Sequence, residues 1–306
     1  MSKRLLADLA LAFASLIWGA TFVLVKDALA DISVFAFLAV RFALAAAVMA
    51  VIFWRYIRKM NARTVWSGVQ IGFCMFGGYV FQTTGLKYTT PAKAAFITGM
   101  CVVLVPLLLA IFTRRRITRW VWTGVIAAMA GLYFLTVPPE GLGGLNRGDP
   151  LVFVCAIMFA LHIIFIGRYV GEHSVGALAF LQVATTAVLS AVFLPVFAVA
   201  GWERPRLVWS HELIAAILIT AIGSTVIGFS FQTWAQQHTS ASHTAIIVSL
   251  EPVFAAITSW LLASEHFGMR TFVGAALILA GILTAELMGP APVVAESPEP
   301  IAGTLE

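Results

Sequence analysis

Apolar residues in this chain do not alternate with polar ones. They come in long runs broken by short charged or Gly/Pro-rich clusters, the pattern of membrane-crossing helices. Breaking the sequence at those clusters gives ten runs, at 5–26, 33–54, 65–86, 94–113, 118–137, 150–170, 176–200, 212–235, 243–264 and 270–288. About 20 residues suffice for a helix, rising about 1.5 Å per residue, to cross roughly 30 Å of hydrocarbon. The connections are too short for an inserted soluble domain. The first run contains Trp18 and lacks a small-x-small cleavage site, so it reads as an uncleaved span. The Pro- and Glu-rich segment 289–306 reads as a disordered tail.

The runs repeat. Shifting the sequence by 150 aligns GYVFQTTGLKYTTPAKAAFITG (78–99) with GFSFQTWAQQHTSASHTAIIVS (228–249), and the register continues ungapped to Gly131 and Gly281. Eleven identities fall in those 54 positions, among them the paired Phe-Gln-Thr of 81–83 and 231–233. Each half then holds five spans. Because five is odd, the second half enters the membrane the other way up, the inverted-repeat plan of secondary transporters. The expected fold is an all-α polytopic membrane protein of ten transmembrane helices as two inverted five-helix repeats, residues 1–145 and 146–288, followed by a cytoplasmic tail, 289–306.

Composition strengthens the membrane assignment. The 306 residues are 61% hydrophobic and 11% charged, with mean hydropathy +0.97, against about 45–50% apolar and about 25% charged in ordinary soluble domains. The net charge of +5 does not point to nucleic acid, since the basic residues sit in short clusters between spans. With the N-terminus inside, the inner segments carry Lys3, Arg4, Arg55, Arg58, Lys59, Arg63, Arg114, Arg115, Arg116, Arg119 and Arg168. The outer ones carry Lys26, Lys87, Lys93, Arg147, Arg204, Arg206 and Arg270. Eleven against seven favours both termini inside. Cys74, Cys101 and Cys155 lie in apolar runs without metal-ligand spacing and read as small apolar residues. No metal and no cofactor is expected.

Several stretches resemble the EamA-type ten-span family of the drug/metabolite transporter superfamily. They are LIWGATFVLVKDAL in the first span, AVRFALAAAV in the second, AAFITGMCVVLVPLLLAIFTRRRITRWVWTGVIAAMAGLYFL in the fourth and fifth, and IIVSLEPVFAAITSWLLASEHFGMRTFVGAALILAGIL in the ninth and tenth. The resemblance covers residues 5–288. It implies a transporter of the inner (plasma) membrane, often an exporter of amino acids or other small metabolites, with a central cavity lined by spans from both halves.

Polar groups in the hydrocarbon region are costly and usually face a cavity or a partner. Arg41 lies about eight residues into the second span from outside and Glu251 about eight into the ninth from inside, which brings them within roughly 6 Å along the membrane normal. A direct ion pair is geometrically open, as are separate roles in coupling or in recognising charged solute groups. Pro252 marks a helix irregularity, and Glu251-Pro252 has no counterpart at the matching positions, Cys101 and Val102. Pro91 and Pro106 mark further irregular positions in the first half. His162 and the repeat mates Gln82 and Gln232 are candidates for lining the cavity or for joining helices. Trp18, Tyr79, Phe96, Phe159, Trp234 and Trp260 could supply an aromatic lining suited to an amphipathic solute, while Trp54, Trp66, Trp120, Trp122, Trp202 and Trp209 fit the interfacial belts. Gly68, Gly72, Gly124, Gly131, Gly274 and Gly281 suit close helix packing, within the chain or in a homodimer. The partners expected are thus a small-molecule substrate, the bilayer and a second copy of the chain.

Rival classes find little support. There is no H-E-x-x-H, no paired intramembrane aspartates and no Cys/His cluster for a membrane-embedded enzyme. No G-x-x-x-x-G-K-[ST] marks an ATP-driven pump, and no soluble output domain marks a non-transporting scaffold.

Overall fold

The computed structural model describes residues 2–89, 91–113, 117–137, 140–141, 146–254, 257 and 268–288, with backbone alone at 91–93, 135–136 and 286. Trp260 and the tail 289–306 lie outside them. The helices of eight residues or more are α1 (Lys3–Ala28), α2 (Val34–Ile52), α3 (Ala62–Leu86), α4 (Pro91–Gly99), α5 (Cys101–Thr113), α6 (Arg119–Thr136), α7 (Gly148–Tyr169), α8 (Val175–Val199), α9 (His211–Leu218), α10 (Gly228–Ala235), α11 (Ala241–Val248) and α12 (Met269–Met288). A π-helical segment, Ile219–Ile227, joins α9 to α10. Every predicted span contains helix, the ninth being described only in its first part, and among the described residues six helices are long and apolar enough to cross a bilayer. The chain is a multi-pass membrane protein.

Side-chain oxygens start the helices where the sequence leaves the apolar runs. Ser2, Asn61, Ser174, Ser210 and Ser240 each accept a hydrogen bond from a backbone N–H of the first turn, filling donors that the helix itself cannot.

The two halves are tied by glycine. A Cβ on Gly124 would lie 2.7 Å from the Gly281 carbonyl oxygen, and one on Gly281 would lie 2.6 Å from that of Gly124. Gly131 meets the Gly274 oxygen in the same way, at 2.6 Å. These reciprocal contacts run antiparallel along α6 and α12. Backbones this close gain dispersion contacts and Cα–H···O interactions that a larger residue would forbid.

Two breaks fall at matched positions. In the fourth span the helix is interrupted at Met100, whose N–H donates to the Ile97 carbonyl at 3.1 Å. In the ninth, Leu250 N–H donates to the Ile247 carbonyl at 3.0 Å. Residues 100 and 250 are mates, as are 97 and 247. Helix then resumes in each case, with Leu104 bonded to Met100 and Phe254 to Leu250. The irregularity marked by Pro252 is present, and the first half makes the same break with Val102 in the proline's place, so the proline is not required for it. Pro252 instead occupies the first turn of the resumed helix, where its missing N–H has no intrahelical acceptor to lose.

Candidate functional site

The breaks border a central cavity holding about 950 Å³ of atom-free space, part of it continuous with solvent. It runs from the level of Val25 and Leu86, near the ends of α1 and α3, to Gln232 and Ala245, near the opposite ends of α10 and α11. Its wall contains six pairs of repeat mates: Tyr79/Phe229, Gln82/Gln232, Ala95/Ala245, Thr98/Val248, Gly99/Ser249 and Cys101/Glu251. The two halves thus present corresponding segments to one space.

Arg41 is the cavity's buried cation, 2% exposed. Its Nε donates to Thr225 Oγ1 at 3.0 Å, and one Nη2 donates to Ser224 Oγ at 3.1 Å and Tyr79 Oη at 3.2 Å. The guanidinium carbon also stands 4.6 Å from the Tyr79 ring centroid and 5.1 Å from that of Phe42. A guanidinium has five N–H donors in a planar fork, so the two on Nη1 have no acceptor among the described residues. The pairing with Glu251 that the sequence left open is not formed: hydroxyls hold Arg41, and the Glu251 carboxylate reaches the same cavity without a hydrogen bond or ion pair to the described residues.

The π-helical segment explains why Ser224 and Thr225 can both serve Arg41. Widening the helix to an i→i+5 register frees carbonyls and turns adjacent residues toward one neighbour. Thr225 Oγ1 donates to the Thr220 carbonyl, five residues back, at 2.9 Å, and the Ser224 carbonyl accepts from Trp18 Nε1 at 2.8 Å. Trp18 packs flat where Gly228 leaves room, since a Cβ there would meet its Nε1 at 2.7 Å. In the other half, Phe159 of α7 uses Gly78 of α3 in the same way.

The remaining wall is aromatic. Tyr79 meets Phe159 and Phe229 at 5.3 and 6.1 Å between ring centroids, and His162 meets Phe229 at 5.6 Å. Gln232 contributes an amide whose Oε1 is buried without a partner among the described residues. Gln82 Nε2 makes a long 3.4 Å contact to Thr98 Oγ1.

Of the residues singled out by sequence, Trp18, Arg41, Tyr79, Gln82, Phe159, His162, Gln232, Glu251 and Pro252 line the cavity together. Phe96 and Trp234 do not. Phe96 points to the α6 side, 6.4 Å from Tyr133, and Trp234 packs on His238 at 5.2 Å, between α10 and its following loop. Sequence reasoning missed Thr21, Thr98, Ser224, Phe229 and Ser249. Hydroxyls and phenylalanines are common in membrane helices, and only the repeat mate of Tyr79 would have singled out Phe229.

A bundle of apolar helices enclosing a charged, partly aromatic cavity at the meeting of its two halves is the architecture of a membrane transporter. The EamA-like transporter family model matches residues 5–137 and again 146–286, and the chain belongs to that family. An uncharacterized transporter of Archaeoglobus fulgidus is 38% identical over 285 residues, covering 93% of this chain and 87% of the relative. The threonine/homoserine exporter RhtA of Escherichia coli K12 is 25% identical over 237 residues, 77% of this chain and 72% of the relative. A crystal structure with 18% identity superposes with a TM-score of 0.75 over 92% of this chain and 97% of its own, which shows a shared fold.

Proposed function

We propose that the protein is a secondary transporter that exports small metabolites such as amino acids by alternating access at the central cavity. It has ten spans in two inverted repeats, lies in the inner (plasma) membrane, and keeps both termini in the cytoplasm. The observation that carries the reading is the cavity built from repeat mates with an unshared guanidinium edge and a free carboxylate. A zwitterion brings a partner for each charge, and the aromatic wall accepts an apolar body. The contacts 124–281 and 131–274 support the inversion, because a two-fold axis exchanging 124 with 274 and 131 with 281 converts one contact into the other. Family membership supports transport, and the name of the relative RhtA supports amino-acid export.

The test is counterflow in proteoliposomes carrying the purified protein, with labelled L-threonine, L-homoserine and L-phenylalanine. Saturable exchange without ATP, lost in Arg41→Leu, is the expected outcome. No exchange above empty liposomes for any of the three rejects amino-acid transport.

A further inference from the structure

We infer that His162 is a specificity residue whose cavity-facing Nδ1 is a fixed hydrogen-bond acceptor for an N–H or O–H donor of the transported solute. The inference rests on the transport reading for the solute's nature, but the state of the ring follows from the protein alone.

His162 Nε2 lies 2.7 Å from Gln182 Oε1, Gln182 Nε2 lies 2.9 Å from Thr233 Oγ1, and Thr233 Oγ1 lies 2.6 Å from the Phe229 carbonyl oxygen. The last contact sets the direction of all three. Two oxygens 2.6 Å apart repel unless a hydrogen lies between them, and the Phe229 carbonyl has none to give. The single Thr233 hydroxyl hydrogen therefore points at Phe229, and Thr233 Oγ1 can only accept from Gln182. That places the Gln182 amide nitrogen toward Thr233 and its oxygen toward His162. An amide oxygen is an acceptor, so His162 Nε2 carries the proton. In the neutral imidazole the other nitrogen, Nδ1, is then bare.

The chain is built to hold. His162 is 1% exposed, and Gln182 and Thr233 are fully buried on α7, α8 and α10, with the ring set edge-on to Phe229 and Phe159. Reversing the amide would set its oxygen against Thr233 Oγ1, whose one hydrogen is already given to Phe229, leaving acceptor facing acceptor in a dry interior. Nδ1 has no protein partner among the described residues, while the ring lines the cavity. Arg41 stands beside Tyr79, and His162 beside Phe229 and Phe159, so the aromatic trio separates a donor edge from an acceptor. An acceptor on a fixed ring rejects a solute that offers no hydrogen there, because Nδ1 would be desolvated for nothing. Gln182 and Thr233 are positioning residues that set which nitrogen faces the solute.

The test uses the full-length protein labelled with 15N-histidine in lipid nanodiscs. Long-range 1H–15N spectra are assigned by the loss of peaks in His162→Gln. The expected spectrum has His162 neutral with its proton on Nε2, and Gln182→Leu is expected to let the Nδ1–H tautomer appear. L-phenylalanine is expected to move the Nδ1 resonance, whereas 3-phenylpropionate, the same body without the ammonium, leaves it in place. In counterflow the wild type should prefer L-phenylalanine, and His162→Phe and His162→Gln should each lower that preference by about tenfold, the size of one such hydrogen bond, leaving the part that the Glu251 carboxylate supplies. A proton on Nδ1 in the wild type overturns the assignment. So does an unchanged preference in both variants, which leaves transport itself standing. Failure of all amino-acid probes in counterflow, with the Nε2–H tautomer present, instead overturns the reading of amino-acid transport and the solute contact with it.

Discussion

At the residue scale the cavity turns on two ionisable side chains, Arg41 and Glu251, that do not meet. Arg41 is saturated on one edge by Thr225, Ser224 and Tyr79 and open on the other, a job that needs the planar fork. Lysine would keep the charge and lose the geometry. Arg41→Lys is therefore expected to weaken apparent affinity for a carboxylate-bearing solute by about tenfold or more, given roughly 1.5–3 kcal/mol for a hydrogen bond to a charged group. Equal affinities in counterflow would rule out recognition by that edge. Glu251 reads differently once the matched break at Met100 is known. The bend does not require the Glu-Pro pair, so the carboxylate is free for the cavity. Glu251→Gln should change stability by less than about 1 kcal/mol, as for a site without a protein partner, yet impair transport of a zwitterion. A large loss of thermal stability would return Glu251 to a structural role. Outside the membrane, His173 bridges Thr64 and Ser67 at 3.2 and 3.1 Å. Burial lowers its pKa from 6.5, against an opposing pull from Glu172 and with a lesser lowering from Arg63. The unfolded chain thus takes up this proton more readily. The bridge's contribution is present above pH 6.5 and fades as pH falls through the lowered folded value. Melting curves between about pH 7.5 and 5 should show a declining midpoint, part of which His173→Asn removes. The polar candidates were legible in the sequence because charge and amides are rare in apolar runs. The hydroxyls that orient them were not, since nothing in composition separates a cavity serine from a packing one.

At the scale of elements, the spans were readable from hydropathy and their faces were not. A soluble helix declares its buried side by periodicity, but lipid-facing and core-facing residues of a membrane helix are equally apolar. Phe96 and Trp234 were thus placed in the cavity by residue type and turn out to pack elsewhere. The π-helical segment left no mark either, because it differs from an α-helix by one register of hydrogen bonds rather than by residue preference. The glycines of α6 and α12 were legible, since small residues at a fixed spacing serve close approach whichever helix they meet. Gly131→Val should confirm their cost. It improves neither packing nor registry, and its side chain would meet the Gly274 carbonyl and Ile278. Overpacking of this kind costs about 1–3 kcal/mol, read as a lower melting midpoint in detergent. A midpoint unchanged or raised would show that the seam yields. Pro252→Ala, by contrast, is expected to change stability by less than about 1 kcal/mol, because the first half breaks at the mated position without a proline.

At the scale of the molecule, the loops sort into two ends by their own bonds. Glu203 accepts from the backbone N–H groups of Val34 and Phe35 at 2.8 and 3.1 Å and pairs with Lys87 at 2.9 Å, gathering the loops after α1, α3 and α8. At the other end Arg63 meets Glu172 at 2.7 Å, joining the loops after α2 and α7. The grouping agrees with the count of basic residues, although that count is strong only in the first half. The second half packs against the first through the glycine contacts of α6 and α12. The three native cysteines are buried, so single introduced cysteines report cleanly. Lys59→Cys and Gly171→Cys should react with an impermeant maleimide only after the cells are opened, and Arg204→Cys in intact cells. Lys59 belongs to the first half and Gly171 to the second. If those two label from opposite sides, the halves are not arranged as the repeat requires, and a cavity shared by mated residues could not be exposed alternately by exchanging their conformations.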